Sequence, residues 1–198
     1  MMDNCIFSAH CTQLTCDKAC PILAETSYLL DRNDIHISSP TFRQDVRHFN
    51  FYLNKLEEKK RFMVLSAQDT VAAAELITYC AICQNWKGSQ LHCTVYNLKY
   101  SQYLDMLKQS WTTKVEPDEL EYMKIWSGSS KILVISNMDY VNFGDFESQT
   151  LLNLLQSRSR VDQQTIIVCP DINNLVGRGS FFELLRRKLR EEGSEPTA

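Results

Sequence analysis

Four cysteines, Cys5, Cys11, Cys16 and Cys20, lie close to the amino terminus, with His10 beside Cys11. Thiolates are the preferred ligands of zinc and of iron–sulfur clusters. Four of them can close one tetrahedral zinc site, and a short module without a core of its own needs such a staple. The spacing is Cys-x5-Cys-x4-Cys-x3-Cys, without the two close CxxC knuckles of the commonest zinc sites. Its last step, Cys16-Asp17-Lys18-Ala19-Cys20-Pro21, is a C-x3-C-P run that also suits iron–sulfur ligation. The expected ligands are therefore Cys5, Cys11, Cys16 and Cys20 around zinc, with His10 as a substitute, and with an iron–sulfur cluster or no metal as the alternatives.

A second place for chemistry is the turn that follows the first apolar run. A phosphate-binding loop there reads G-x-x-x-x-G-K-[ST]: glycines let backbone amides close around the phosphates, lysine neutralises them, and the hydroxyl holds magnesium. This chain reads Ser66-Ala67-Gln68-Asp69-Thr70-Val71-Ala72-Ala73, so Val71-Ala72-Ala73 stands where Gly-Lys-[ST] would be. Paired acids after a later apolar strand would hold magnesium and orient water. Those positions are Ser136 and Asn137, with Asp139 two residues further on. The two losses predict a chain that keeps a nucleotide-binding architecture without ATP, and that has no catalytic residue.

Other candidates carry less. Cys80-Ala81-Ile82-Cys83 is a CxxC inside an Ala-rich helical stretch, whereas a redox CxxC belongs at a helix amino terminus, where the dipole lowers the thiol pKa. Core packing is expected there. His36, His48 and His92 are isolated, and no Ser/His/Asp or Cys/His arrangement is visible. Trp86-Lys87 and Lys99-Tyr100 pair an aromatic with a cation, a combination that can stack on and neutralise single-stranded DNA but is also common on surfaces.

The elements that would position these groups follow from periodicity. Asp31, Asn33, Asp34 and Ser38-Ser39-Pro40 have linker chemistry, which places a boundary near residue 38. Residues 1–38 then form a small cysteine-rich, metal-binding module, 39–192 the main domain, and 193–198 a polar tail. In the main domain Thr41 can cap a helix carrying Phe42, Val46, Phe49, Leu53 and Leu56. Strands are expected over 62–65, 91–96, 132–135 and 165–169, and helices over 71–84, 100–108, 117–124, 146–158 and 181–190. Apolar strands separated by helices specify an α/β fold, a mostly parallel sheet sandwiched by helices. In such a sheet ligands sit beyond the carboxyl ends of the strands, so residues 65–73 are the place to look.

Composition sets limits on function. The 198 residues are 44% hydrophobic and 23% charged, values for a globular chain. A net charge of −3 provides no overall basic field, so any contact with DNA must be local. No stretch reaches the roughly 20 apolar residues of a membrane helix. The amino terminus has no secretory pattern, and a cytoplasmic protein is expected.

Residues 41–190 resemble the AAA+ domain of bacterial replicative-helicase loaders, the DnaC and DnaI group, and of related transposition ATPases. The similarity lies in helix, strand, loop and helix over 41–84, in Lys131-Ile132-Leu133-Val134-Ile135, and in the helix and strand over 151–168. It continues in Asn174-Leu175-Val176-Gly177-Arg178-Gly179-Ser180 and the helix behind it. The resemblance implies a RecA/AAA+-like sheet, and in the loaders a helix-bearing arginine region that acts on a neighbouring subunit. Arg178, Arg186 and Arg187 fall in that region and are the expected contacts to a partner or to DNA; a solvated basic face is the alternative. It further implies that the cysteine module engages the helicase. Against the family pattern, the phosphate loop is gone, Ser136 and Asn137 replace its acids, and Pro170 replaces the asparagine after the fourth strand.

The expected function is thus a non-catalytic, AAA+-like adaptor that binds a hexameric replicative helicase in the replication of a phage or mobile element. An active AAA+ loader or single-stranded DNA could be further partners. A DNA-binding transposition or recombination accessory and an iron–sulfur redox protein are the alternatives.

Overall fold

The computed structural model describes residues 30–33, 35, 49–87, 90–91, 94–158 and 162–193. The elements run α1 (Phe49–Glu57), β1 (Phe62–Ser66), α2 (Thr70–Asn85), β2 (Trp86–Lys87), β3 (Gln90–Leu91), β4 (Val95–Lys99), α3 (Tyr100–Thr113), α4 (Asp118–Ser129), β5 (Ile132–Ser136), α5 (Asp145–Ser157), β6 (Gln164–Cys169), a 3-10 turn (Ile172–Asn174) and α6 (Ser180–Gly193). Four strands form one parallel sheet in the order β1-β6-β5-β4, while β2 and β3 pair antiparallel apart from it.

The apolar runs explain the sheet. Because successive side chains alternate between faces, a strand covered on both sides must be apolar throughout. Met63, Leu65, Ile132, Val134, Ile166 and Val168 join the core under α1 and α2. Leu133, Ile135, Ile167 and Cys169 join the core under α3 to α6. Helix α2 is mostly apolar, and Ala72–Ala74 and Leu76–Ile82 are buried with Glu75 only partly exposed, as expected of a helix largely enclosed by its surroundings. Cys80 is fully buried in that helix, as the Ala-rich context predicts, and the side chain of Cys83 lies outside the described residues.

One strand departs from the expectation. The alternation of Leu91, Cys93 and Val95 suggested a strand over 91–96, but β4 begins at Val95 and runs to Lys99, in register with β5 from Val95↔Ile132 to Lys99↔Ser136. Gln90–Leu91 pairs with Trp86–Lys87 instead. Period-two alternation describes a strand with one wet face, whereas Val95, Tyr96, Asn97 and Leu98 are all buried. The helix expected to stop at residue 108 continues to Thr113, and α4 runs to Ser129. It follows Pro117 and carries Asp118, Glu119 and Glu121 in its first turn, where acids complement the helix dipole.

Cys5, Cys11, Cys16, Cys20 and His10 lie outside the described residues, as do His36, His48, His92 and the tail 194–198. So do residues 36–48, on both sides of the expected boundary. Just before it, Leu30 and Ile35 are buried in the core beneath α1 and α2. No described helix is long and apolar enough to cross a membrane.

Candidate functional site at the carboxyl end of the sheet

Strands β1 and β6 are neighbours, but the chain leaves them toward opposite faces. After β1 it enters α2, whose side chains fill one core; after β6 it reaches α6, whose Phe182, Leu185 and Leu189 fill the other. The strand ends Ser66, Ser136 and Cys169 therefore lie at the carboxyl edge of the sheet, where α/β sheets hold ligands.

At β1 the turn is short. The Ala67 amide donates to the Cys169 carbonyl at 3.1 Å, extending the ladder one residue, and α2 begins at Thr70. Asp69 caps the helix: its Oδ1 accepts the Ala72 amide at 3.0 Å, and its carbonyl accepts the Ala73 amide at 3.1 Å. A helix amino terminus attracts anions, and here the chain supplies its own carboxylate at that position. The buried Thr70 hydroxyl donates to Asp139 Oδ1 at 3.0 Å. Val71 is half-buried, while Ala72 and Ala73 are 1% and 3% exposed. A phosphate-binding lysine at 72 would thus point into the core.

At β5 the acids are replaced by a neutral clasp. Ser136 Oγ donates to Asn97 Oδ1 at 3.0 Å, and the Asn97 amide donates to Asn33 Oδ1 at 2.7 Å. Ser136 at the end of β5, Asn97 in the middle of β4 and Asn33 thereby tie β5, β4 and the segment before the boundary together. Asn137 follows in the left-handed region, φ 59°, and its Oδ1 is buried without a hydrogen-bond partner. At β6, Cys169 is fully buried. Burial, reinforced by the charges of Asp171 and Asp139, pushes its thiol up to about 12, so it stays protonated at neutral pH. Asp171 accepts the Asn173 amide at 2.9 Å and caps the 3-10 turn.

The three loops 66–70, 136–140 and 169–172 contain Asp69, Asp139 and Asp171 and no lysine or arginine. A triphosphate placed here would meet carboxylates, a capped helix end and no cation from these loops. These loops therefore supply no positive charge to neutralise a triphosphate.

The arginines expected to meet a partner are displayed differently from one another. Gly177 bridges to Phe143, the Phe143 amide donates to Val176 O at 2.9 Å, and the Arg178 amide donates to Phe143 O at 2.8 Å. A Cβ on Gly177 would come within 2.6 Å of the Phe182 ring and 2.7 Å of Phe143 Cβ, and Gly179 has φ +102° with the Asp145 carboxylate against it. Arg178 thus stands exposed on a loop held at both ends. Arg187 also faces solvent, 3.7 Å from Glu191. Arg186 instead lies over the Phe182 ring, 5.6 Å from its centroid, and 3.8 Å from Glu183. Tyr140 and Val176, on the loops that meet at this bridge, are 71% and 67% exposed.

The Lys99-Tyr100 pair is not a stacking platform. Tyr100 is fully buried beside Phe143, with ring centroids 6.1 Å apart, and its hydroxyl donates to the Glu147 carbonyl. The Trp86 and Lys87 side chains lie outside the described residues.

Two features had little sequence signal. Asp69-Thr70 before an Ala-rich helix has the chemistry of a cap, and that reading accounts for it better than a degenerate phosphate loop does. Arg158 follows α5 like any solvated helix-end cation, yet it is only 2% exposed, because its partners Ser127, Ser130 and Thr165 come from distant segments. No family model, curated protein or solved structure matches the chain.

Proposed function

We propose that the chain is a non-catalytic, AAA+-like adaptor that engages a hexameric replicative helicase, as the loader resemblance implies. The strand order β1-β6-β5-β4 is consistent with a RecA-like sheet and supports the architecture. The observation that supports the reading is the Asp69 cap with the Thr70–Asp139 bond beside it, which sets the chain's own carboxylates at the helix end where a phosphate loop would bring a phosphate. With that edge occupied, surface remains to be used, and Arg178 is held ready for a neighbouring subunit by Gly177 and Gly179. The cysteine module, with Cys5, Cys11, Cys16 and Cys20 on zinc, is the helicase-facing part.

The test is a titration of the isotopically labelled full chain with MgATP, read at individual backbone amides. Amides of residues 66–73 and 136–140 stay unmoved up to millimolar nucleotide. Saturable shifts there with a micromolar constant, abolished by Thr70→Ala or Asp139→Ala, would overturn the reading.

A further inference from the structure

At the opposite, amino-terminal edge of the sheet, Lys60 and Arg61 before and at the head of β1, Arg158 after α5 and Lys188 on α6 line one cleft of about 590 Å³, with Phe62 and Leu155 as its apolar wall. Among the described residues that line it none is acidic. Glu58 approaches Lys60 at 3.1 Å. In a chain of net charge −3, four cations around one hollow run against the overall balance.

Arg158 makes the arrangement unusual. Its Nε donates to Thr165 Oγ1 at 2.8 Å, Nη1 to Ser127 O at 2.7 Å and Nη2 to Gln164 O at 2.9 Å, with longer contacts to Ser130 Oγ and Lys131 O. Every acceptor is neutral. Burial pulls its pKa down to about 10, which leaves it cationic at neutral pH. Arg61 Nη2 donates to the Arg158 carbonyl at 3.4 Å, so a second guanidinium is drawn to the same place. Like charges this close repel, and the half-charge of the α5 carboxyl terminus, about −0.5, offsets only part of two full charges. An anion in the cleft would add to that offset.

We propose that this cleft binds a small phosphate monoester, its phosphate held by Arg61, Lys60 and Lys188 and its apolar portion resting on Phe62 and Leu155. Guanidinium forks match phosphate oxygens, and the volume lies within the roughly 300–1,000 Å³ of small-ligand pockets. A concave hollow with an apolar wall favours a compact ligand over a polymer backbone, which would need an open basic stripe. The site stands at the other edge of the sheet from Thr70 and Asp139, so it is independent of the adaptor reading.

Phenyl phosphate and inorganic phosphate are the probes, titrated into the labelled full chain. The expected result is saturable movement of the Lys60, Arg61, Phe62 and Thr165 amides, with phenyl phosphate binding about three-fold or more tighter because its ring meets the wall. Lys188→Gln and Arg61→Gln each weaken it about five-fold or more, Arg61→Lys less, and Lys124→Gln, away from the cleft, not at all. An unchanged urea midpoint in each variant separates lost binding from lost folding. Shifts that never saturate, or equal weakening by Lys124→Gln, overturn the proposal. So does a thymidine oligonucleotide that displaces phenyl phosphate and binds about a hundred-fold tighter, because the cleft would then read a nucleic-acid backbone.

Discussion

The Thr70 hydroxyl donates to the Asp139 carboxylate at 3.0 Å, joining the first residue of α2 to the turn after β5 across the carboxyl edge of the sheet. Each stands beside a position that would serve a nucleotide, Thr70 ahead of Val71-Ala72-Ala73 and Asp139 after Ser136-Asn137, and the two close on each other. Thr70→Val removes the donor while keeping the volume. It should lower stability by about 1–3 kcal/mol, since Thr70 is 3% exposed and the acceptor is charged. Urea unfolding measures it; no loss would mean the bond is incidental.

Arg158→Met should be the most damaging single change outside the apolar core. It leaves Ser127 O, Gln164 O and Thr165 Oγ1 without their donor, at about 3 kcal/mol or more. Denaturant unfolding checks this, and a loss below about 1 kcal/mol would show that water replaces the guanidinium.

Glu147 links stability to pH. Burial pushes its carboxyl up, but Lys108 at 2.8 Å and the Gly144 amide at 2.9 Å outweigh burial and hold it below 4.5. A carboxyl with a lowered folded pKa contributes fully above its unfolded value, and that contribution is lost as pH falls through the folded one. Glu147→Gln should therefore be less stable than the parent at pH 7 and differ from it less at pH 3. Thermal midpoints from pH 7 to 3 give the difference; parallel curves would contradict it.

Gly177→Ala should destabilise by about 1–3 kcal/mol, because its Cβ cannot share space with the stacked rings of Phe143 and Phe182. Arg178→Ala, on the exposed side of the same loop, should leave the thermal midpoint within about 1 °C. If both variants melt alike, the loop is not the constrained display the geometry describes.

Sequence made β1, α2, β5 and β6 legible because each is a long apolar run or an uninterrupted helix former. β4 was harder: Asn97 and Lys99 look like the edge of a loop, and Asn97 is acceptable in a buried strand only because Asn33 and Ser136 pair with it. Those partners come from 64 and 39 positions away. Tyr100 was misleading for the same reason, since its pairing with Lys99 suggested surface and Phe143 and Glu147 from a distant segment supplied the burial. At the candidate site the missing lysine and glycines were plain, but not that Asp69 and Asp139 fill the space. The cations Lys59-Lys60-Arg61 ahead of β1 were the one early sign of the basic cleft.

The cysteine module makes its own prediction. Protein purified without added metal should contain about one zinc per chain, and Cys16→Ser should release it while the α/β domain stays folded. A brown protein would favour iron–sulfur, and metal-free protein with unchanged behaviour would reject both.

Direct binding is the closest test of the proposed adaptor, which would work by surface contact with a hexameric helicase. Because Leu30, Asn33 and Ile35 are buried in the main domain, the informative deletion is 1–29, which spares them, and not a cut at residue 38. Size-exclusion chromatography with light scattering of the full chain and the replicative helicase of its source cell, without nucleotide bound by the adaptor, should give a stable complex that the 1–29 deletion abolishes. Separate elution of the full chain and the hexamer under the same conditions would contradict the account.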